Sequence, residues 1–231
     1  MLTNAFKNSL VRQSMRAFTV AAAPPAKIVQ TPLPYALNDL EPVLTQQQMD
    51  YHYNRHHKTY VVKYNEKIDQ IEQAMAKQDY PAIARIAREI RFFGGGNWNH
   101  TFFWESLAPI KNGGGQRPGE GAKITSMIKS SWGSYDAFQA HFSAETAAIQ
   151  GSGWGWLIYN KHTKGLEYRA SANQDLITDQ QPSGITPLMN IDIWEHAFYI
   201  DYKHAKADFL KDVWKIVNWQ KVEQRLIDAT K

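Results

Sequence analysis

Histidine and aspartate side chains that could bind a metal ion occur in three separated parts of the sequence. His52 and His56 are four residues apart, as are Asp192 and His196, while His100 stands between the two pairs. Residues four apart lie on the same face of a helix, so the members of a pair can point the same way. Because the chain has no cysteine, thiolate sites, iron–sulfur clusters and disulfides are excluded. Any metal ion must therefore be held by imidazole and carboxylate groups, which suit first-row transition metals.

Spacing alone leaves a structural interpretation open. A single histidine among aromatic residues is commonly a core residue, and Asp192 with His196 could form an ordinary side-chain interaction. His162 lies in the predicted turn KHTKG, and His141 and His204 are expected at the surface. No local HExxH motif joins the candidates, so the spacing gives a metal site only as a hypothesis.

The first half of the chain reads as helical. Thr45 is the predicted N-cap of a helix over residues 46–77, since threonine commonly caps helix N-termini. A polar turn follows, and Pro81 suits the first turn of a second helix over 81–93. Three consecutive glycines, 94–96, predict the end of that helix, with a shorter helix over 98–108. These elements predict an antiparallel helical hairpin.

The second half mixes helices and strands. A glycine-rich linker at 113–121 precedes two helices, the second of which is capped by Ser134. Apolar and β-branched runs then predict three strands, followed by one amphipathic helix. The predicted elements are helices 124–132 and 134–149, strands 154–160, 166–172 and 187–196, and helix 207–230. The fold class is α+β: an N-terminal helical hairpin domain (28–117) and a C-terminal α/β domain (118–231) whose small three-stranded antiparallel sheet is flanked by helices.

The N-terminus predicts a targeting segment. The chain contains no acidic residue before Asp39, whereas Lys7, Arg12, Arg16 and Lys27 are basic. Apolar residues interspersed among these charges are typical of a cleaved mitochondrial transit peptide, which we place at residues 1–27, and this indicates the mitochondrial matrix. An untargeted tail is the alternative.

The four basic residues of the N-terminal segment account for the whole net charge of +4, so no nucleic-acid partner is expected. No apolar run reaches membrane-spanning length, so no membrane partner is expected either.

Several sequence stretches together resemble the iron/manganese superoxide dismutase family. They are LPYALNDLEPVL, YHYNRHHKTYV, FFGGGNWNHTFFW, GSGWGWL, SANQD and DIWEHAFYIDY. The resemblance runs in order from Leu33 to the C-terminus. It implies that His52, His100, Asp192 and His196 bind one manganese ion per subunit, with iron possible, and that a solvent molecule is the fifth ligand.

The resemblance also implies roles for residues around the metal. Tyr60 and His56 match the pair at the mouth of the site, where a proton relay to bulk water is expected. Gln174 matches the outer-shell glutamine of the manganese branch, whose hydrogen bond to the bound solvent favours the oxidised metal. Trp154 and Trp194 match the aromatic wall of the site. The implied reaction converts two superoxide anions to dioxygen and hydrogen peroxide.

The resemblance further implies a homo-oligomer, either a dimer or a tetramer. Glu195 matches a residue that contacts the neighbouring subunit's copy of ligand His196, and Tyr199 one that contacts the neighbour's copy of His56. Lys206 stands where the family usually has arginine, so it keeps the positive charge that attracts superoxide without the planar arginine fork.

The sequence contains features of both the manganese and the iron branch of the family. The iron branch usually supplies its outer-shell glutamine four residues before the middle histidine ligand, a position held here by Gly96, and Gln174 occupies the manganese-branch position. Trp98 and Thr101 look more like the iron branch. Manganese is therefore the prediction, with an iron-dependent or dual-metal enzyme as the alternative. A non-catalytic structural protein of the same fold is a further alternative, disfavoured because the chain keeps all four ligands.

Overall fold

The computed structural model of the protein describes residues 26–180 and 184–231. Residues 1–25 of the predicted transit peptide lie outside this part. The helical elements are α1 (Gln46–Met49), a π-helix (Asp50–His57), α2 (Lys58–Ala76), α3 (Tyr80–Glu105), a 3₁₀-helix (Ile110–Asn112), α4 (Lys123–Trp132), α5 (Tyr135–Ala148), α6 (Ile177–Gln180), a 3₁₀-helix (Glu195–Ala197), α7 (Tyr199–Tyr202), α8 (Lys206–Asp212), a 3₁₀-helix (Val213–Ile216) and α9 (Trp219–Ala229). The strands are β1 (Gly153–Asn160), β2 (Gly165–Ala172) and β3 (Ile185–Asp192).

The three strands form one antiparallel sheet in the order β2–β1–β3. The central strand, β1, is buried along its whole length. Trp154 of β1 is paired with Asp192, the last residue of β3. The predicted three-stranded antiparallel sheet flanked by helices is therefore confirmed. The prediction that the third strand runs over 187–196 is wrong at its end, because the chain turns into a 3₁₀-helix soon after Asp192.

Helices α2 and α3 form the predicted antiparallel hairpin, and local sequence signals set where the helical segments begin. The side chain of Thr45 accepts a hydrogen bond from the Gln48 amide, as predicted for an N-cap. Asp79 caps α3 in the same way by accepting from Ala82, and Pro81 lies in its first turn. Within residues 46–76, however, the segment Asp50–His57 is π-helical, which the sequence pattern did not predict. Such turns occur frequently at functional sites.

The three glycines do not end the second helix. Helix α3 continues through Gly94–Gly96 to Glu105, so the predicted break and separate helix are wrong. A Cβ atom on Gly95 would lie 2.1 Å from the backbone oxygen of Gln174, and one on Gly96 would lie 2.4 Å from the ring of Tyr60. The glycines allow this close packing, which outweighs their poor helix propensity.

The predicted single C-terminal helix is also wrong, because it is divided into α8, a 3₁₀-helix and α9. The chain leaves helical geometry at Val217, whose extended backbone pairs with Leu107 in an isolated β-bridge. Asn218 then caps α9 by accepting a hydrogen bond from the Lys221 amide. The two helices predicted upstream are confirmed as α4 and α5, and Ser134 caps α5. The predicted domain limits, 28–117 and 118–231, remain a prediction.

None of the helices in the described ranges has both the length and the apolar character that a membrane-crossing segment needs.

The glycine run gives a test of this packing argument. We expect Gly95→Ala to lower the free energy of unfolding by about 1–3 kcal/mol or more, because rigid backbone must move to admit the methyl group. Gly94→Ala is the matched control, since its Cβ would meet only the Tyr64 side chain, at 3.1 Å, and alanine is the better helix former. Urea unfolding of both variants checks this. Equal stability of the two variants would contradict the argument.

Candidate metal centre

Four side chains from four different elements meet in the interior. His52 comes from the π-helix, His100 from α3, Asp192 from the end of β3, and His196 from the 3₁₀-helix Glu195–Ala197. Their potential ligand atoms all lie within 4.8 Å of one another. His52, His100 and Asp192 have fully buried side chains, and the side chain of His196 is 10% exposed. The structure therefore brings together all four residues that the sequence analysis assigned to the metal.

One carboxylate oxygen is the centre of the cluster. The Oδ2 atom of Asp192 lies 3.1 Å from Nε2 of His52, 3.6 Å from Nε2 of His100 and 3.4 Å from Nε2 of His196. The other oxygen, Oδ1, accepts a hydrogen bond from the Trp194 amide at 2.9 Å. This hydrogen bond fixes the carboxylate so that Oδ2 faces the three imidazoles.

The tautomer of His100 is set by the backbone. Its Nδ1 lies 2.7 Å from the carbonyl oxygen of Gly96, and a carbonyl can only accept, so Nδ1 carries the proton. The Nε2 atom of neutral His100 is then an unprotonated lone-pair donor, as metal-binding histidines require. This Nε2 is fully buried and has no hydrogen-bond partner among the described residues.

The protonation states of the cluster also suit a cation. Burial, reinforced by the neighbouring histidines, lowers the pKa of His52 to about 4 and holds that of His100 well below its usual value. Burial alone would raise the pKa of Asp192, but the adjacent His196 and His52 outweigh it and hold this pKa below its usual range. The imidazoles of His52 and His100 are therefore neutral beside an ionised carboxylate at neutral pH, and metal ions bind ligands in these deprotonated forms.

The residues fit a bound metal ion. A lone pair on Nε2 of His100 pointing at an anionic oxygen 3.6 Å away is unfavourable unless a cation lies between them. The Nε2 atom of His196 is likewise buried without a hydrogen-bond partner in the described part of the chain. Three imidazoles and one carboxylate form a ligand set for a first-row transition metal, rather than for calcium or magnesium, which prefer oxygen ligands.

Tyr60 and Gln174 lie together beside the cluster. The Gln174 amide nitrogen donates to the Tyr60 hydroxyl at 3.0 Å, and its oxygen accepts from Asn99 at 3.2 Å. The Tyr60 ring also lies 5.1 Å from the His100 ring. Burial, followed by the charge of Asp192, raises the pKa of Tyr60 well above its ordinary value. Tyr60 is thus a neutral hydroxyl that can donate a hydrogen bond or a proton.

The remaining predicted residues surround the cluster. His56 is partly buried and its ring stacks on that of His196 with centroids 4.3 Å apart. Trp154 contacts His100 edge-on at 5.1 Å, and Trp194 stacks on His196 at 5.3 Å. These contacts place both tryptophans against the candidate ligands.

The two predicted interface residues lie at the protein surface. Glu195 is exposed, and Tyr199 is 46% exposed. Both line a cavity that also reaches His196 and Lys206, and the Lys206 ammonium donates to the Ala147 carbonyl at 2.7 Å. Their contacts with a neighbouring subunit remain a prediction.

His57 is a residue of the site to which the sequence analysis gave no role. It is fully buried and its ring stacks on His100 with centroids 5.4 Å apart. Trp104 donates to its Nδ1 at 3.1 Å, so the proton is on Nε2, which donates to Asn97 Oδ1 at 3.0 Å. The adjacent pair His56–His57 could have indicated a buried histidine. Consecutive helical residues point in different directions, so one of the two is expected to face the interior.

The three histidines and one aspartate, which come from the helical region, the sheet and the 3₁₀-helix after β3, define the protein as a candidate metal-binding protein. Residues 30–108 match the family model described as iron/manganese superoxide dismutases, alpha-hairpin domain, and residues 120–225 match the C-terminal domain model of the same family. A relative from Tetrahymena pyriformis named superoxide dismutase [Fe] is 45% identical over 85% of this chain and 99% of its own.

Two further relatives carry a manganese name. The mitochondrial superoxide dismutase [Mn] of Oryza sativa subsp. japonica is 40% identical over 99% of this chain and 98% of its own. The superoxide dismutase [Mn] of Chlamydia muridarum is 40% identical over 86% of this chain and 95% of its own. The chain therefore belongs to the iron/manganese superoxide dismutase family.

Proposed function

We propose that this superoxide dismutase uses manganese, and that His52, His100, Asp192 and His196 hold the ion. The observation that carries the proposal is the convergence of three imidazole Nε2 atoms on Oδ2 of Asp192 at 3.1–3.6 Å. When bound, the ion would supply one-electron redox chemistry. The overall reaction consumes two superoxide anions and two protons and yields dioxygen and hydrogen peroxide.

The protein's own groups relay the two protons from solvent. The Tyr60 hydroxyl is buried beside the cluster and accepts a hydrogen bond from Gln174, which leaves its own proton free for donation toward the reacting anion. Proton transfer from a positioned group is an established source of rate acceleration. His56 is only partly buried, so it can exchange protons with solvent at the mouth of the site.

The surrounding residues select a small anion. Trp154, Trp194 and the rings of the ligands leave apolar walls, which exclude water and strengthen electrostatic interactions inside the site. Lys206 lies in the wall of the surface cavity that reaches His196. Its ammonium group raises the local concentration of superoxide at this entrance by electrostatic steering.

Manganese is supported by the position of the glutamine. Gln174 reaches Tyr60 from the turn after β2. Gly96 on α3 has no side-chain amide, and the Tyr60 ring leaves no room for a side chain at that position. A donor at this place favours the oxidised ion, and manganese needs that effect more than iron because it is the stronger oxidant. Iron is favoured by a different observation, the 45% identity to the relative named superoxide dismutase [Fe].

Reconstitution with single metals tests the proposal. Metal-free protein loaded with manganese is expected to consume superoxide rapidly, and iron-loaded protein to be much less active. Metal analysis should find about one ion per chain in both cases. Strong activity with iron alone would overturn the assignment of manganese.

Two variants serve as controls for this experiment. Asp192→Asn removes the charge at the centre of the cluster and is expected to abolish stoichiometric uptake of either metal. Gln174→Leu keeps the four ligands, so it should still bind manganese but lose activity by about 10²-fold, the usual cost of one preorganised donor.

We also propose that two copies of the chain associate through the surface that carries Glu195 and Tyr199. This is supported by the exposure of both residues next to His196. Closed two-fold dimers bring the same patch of both copies together, so Glu195 could contact the partner's copy of His196.

Glu195→Ala tests the dimer. We expect weaker association and a lower metal content, measured by sedimentation at several concentrations and by metal analysis. Glu120→Ala is the control, because the Glu120 side chain is 83% exposed and lies elsewhere on the surface. A Glu195→Ala variant with unchanged association and metal content would refute the cross-interface role.

Finally, we propose that the enzyme acts in the mitochondrial matrix after removal of an N-terminal presequence. The mitochondrial names of several relatives support this. Residues 28–31 are attached to the hairpin: Ile28 exchanges backbone hydrogen bonds with the Asn65 side chain at 2.9 Å, and Gln30 donates to the Tyr53 carbonyl at 2.8 Å. These contacts indicate that the mature chain keeps them.

N-terminal sequencing of the protein from its native source checks this proposal. The mature chain is expected to begin after the basic segment and no later than Ile28. A retained Met1 would refute processing, and a start beyond Gln30 would refute the role of this attached segment.

A further inference from the structure

A buried glutamine connects the beginning of the N-terminal helical run to the segment that carries His196. Gln48 lies in α1 and has no exposed surface. Its side-chain nitrogen donates to the His196 carbonyl oxygen at 2.7 Å, and its side-chain oxygen accepts from the Ile200 amide at 3.1 Å. Both ends of one uncharged side chain are therefore bonded to the backbone around a candidate metal ligand.

His196 is the candidate ligand that most needs such support. It lies in a 3₁₀-helix of three residues, whereas His100 lies well inside the long helix α3. Its side chain is 10% exposed, while those of the other three candidate ligands are fully buried. Short 3₁₀ segments have poor internal hydrogen-bond geometry, so the position of the His196 backbone depends on contacts with other elements.

Gln48 also lies close in sequence to another candidate ligand, since His52 follows it in the same continuous helical run. The Gln48 amide thus links the backbone that carries His52 to the backbone that carries His196. His52 and His196 come from distant parts of the sequence, and the distance between their imidazoles decides whether both can bind one ion.

A neighbouring contact joins the same two segments without touching His196. The Thr45 amide and hydroxyl both donate to the Asp201 carboxylate, at 2.8 and 2.6 Å. Loss of the Thr45 hydroxyl removes a hydrogen bond to Asp201 and the N-cap of the Gln48 backbone amide but leaves the Gln48 side chain intact. Loss of the Gln48 side-chain amide frees the His196 carbonyl. The two changes therefore separate a general structural role from a positioning role.

We propose that Gln48 is a positioning residue for metal binding: by holding the His196 carbonyl and the Ile200 amide, it fixes the His196 ring on the ion. The inference rests on the proposed metal site and concerns a residue outside the ligand set. Glutamine suits this role because it supplies a donor and an acceptor without introducing a buried charge.

The test compares Gln48→Met with Thr45→Ala and wild-type protein, each loaded with Mn²⁺ or, separately, with Fe²⁺. Methionine keeps the apolar volume of the side chain but can make neither hydrogen bond. Release of the ion to excess chelator is expected to be about ten-fold faster in Gln48→Met, the scale of losses seen when outer-shell partners of metal ligands are removed. Thr45→Ala should release the ion at the wild-type rate.

A spectroscopic measurement adds a readout that general destabilisation does not move. The visible absorption of the oxidised manganese-loaded protein reports the arrangement of its ligands. We expect a shifted band in Gln48→Met and a wild-type band in Thr45→Ala, even where the two variants have lost similar stability against urea.

The outcomes are distinguishable from a failure of the proposed function. Wild-type release and spectrum in Gln48→Met would refute the positioning role while leaving the metal site intact. Wild-type protein that takes up no more metal than Asp192→Asn would instead refute the metal site. If Gln48→Met does not fold, Gln48→Asn replaces it: the shorter amide should also speed release, and a wild-type rate would overturn the proposal.

Discussion

The structure depends on one carboxylate oxygen, Oδ2 of Asp192, that three imidazoles approach in the interior. An ionised carboxylate with no exposed surface is strongly unfavourable in a protein core unless positive charge compensates it. Burial lowers the pKa values of His52 and His100, so these two imidazoles are neutral at pH 7 and do not supply that charge. A bound cation would supply the missing positive charge, so the cluster suits a metal ion better than an empty cavity.

The other helices and strands position the four segments that meet at this oxygen. The sheet ends β3 at Asp192, the paired strand β1 places Trp154 behind it, and α3 passes close enough to present His100. The close approach of α3 requires glycine where its backbone meets Gln174 and Tyr60. Packing of the hairpin, the sheet and the turn after β2 therefore determines the geometry of the candidate site directly.

Features that depend on local sequence were predictable, and features that depend on distant partners were not. Thr45 and Ser134 cap their helices through amides three residues away. The residues that predict these caps are therefore close together in the sequence. The continuation of α3 through Gly95 depends on Gln174, and the end of the last 3₁₀-helix depends on Leu107. The four cluster residues were assigned by a resemblance of motifs, since their spacing alone left a structural interpretation open. His57 and Gln48 were not given roles because their partners lie 47 and 148 residues away.

Gly96 and Gln174 both lie against Tyr60, in different ways. The ring of Tyr60 occupies the space that a side chain at position 96 would need, because a Cβ atom added there would lie only 2.4 Å from a ring carbon. The same Tyr60 hydroxyl accepts the hydrogen bond of Gln174. A glutamine can therefore approach this hydroxyl from the turn after β2 or from α3, but the packing of Tyr60 against α3 admits only the first route. The direction from which a glutamine side chain can reach Tyr60 is thus set by a steric contact between α2 and α3.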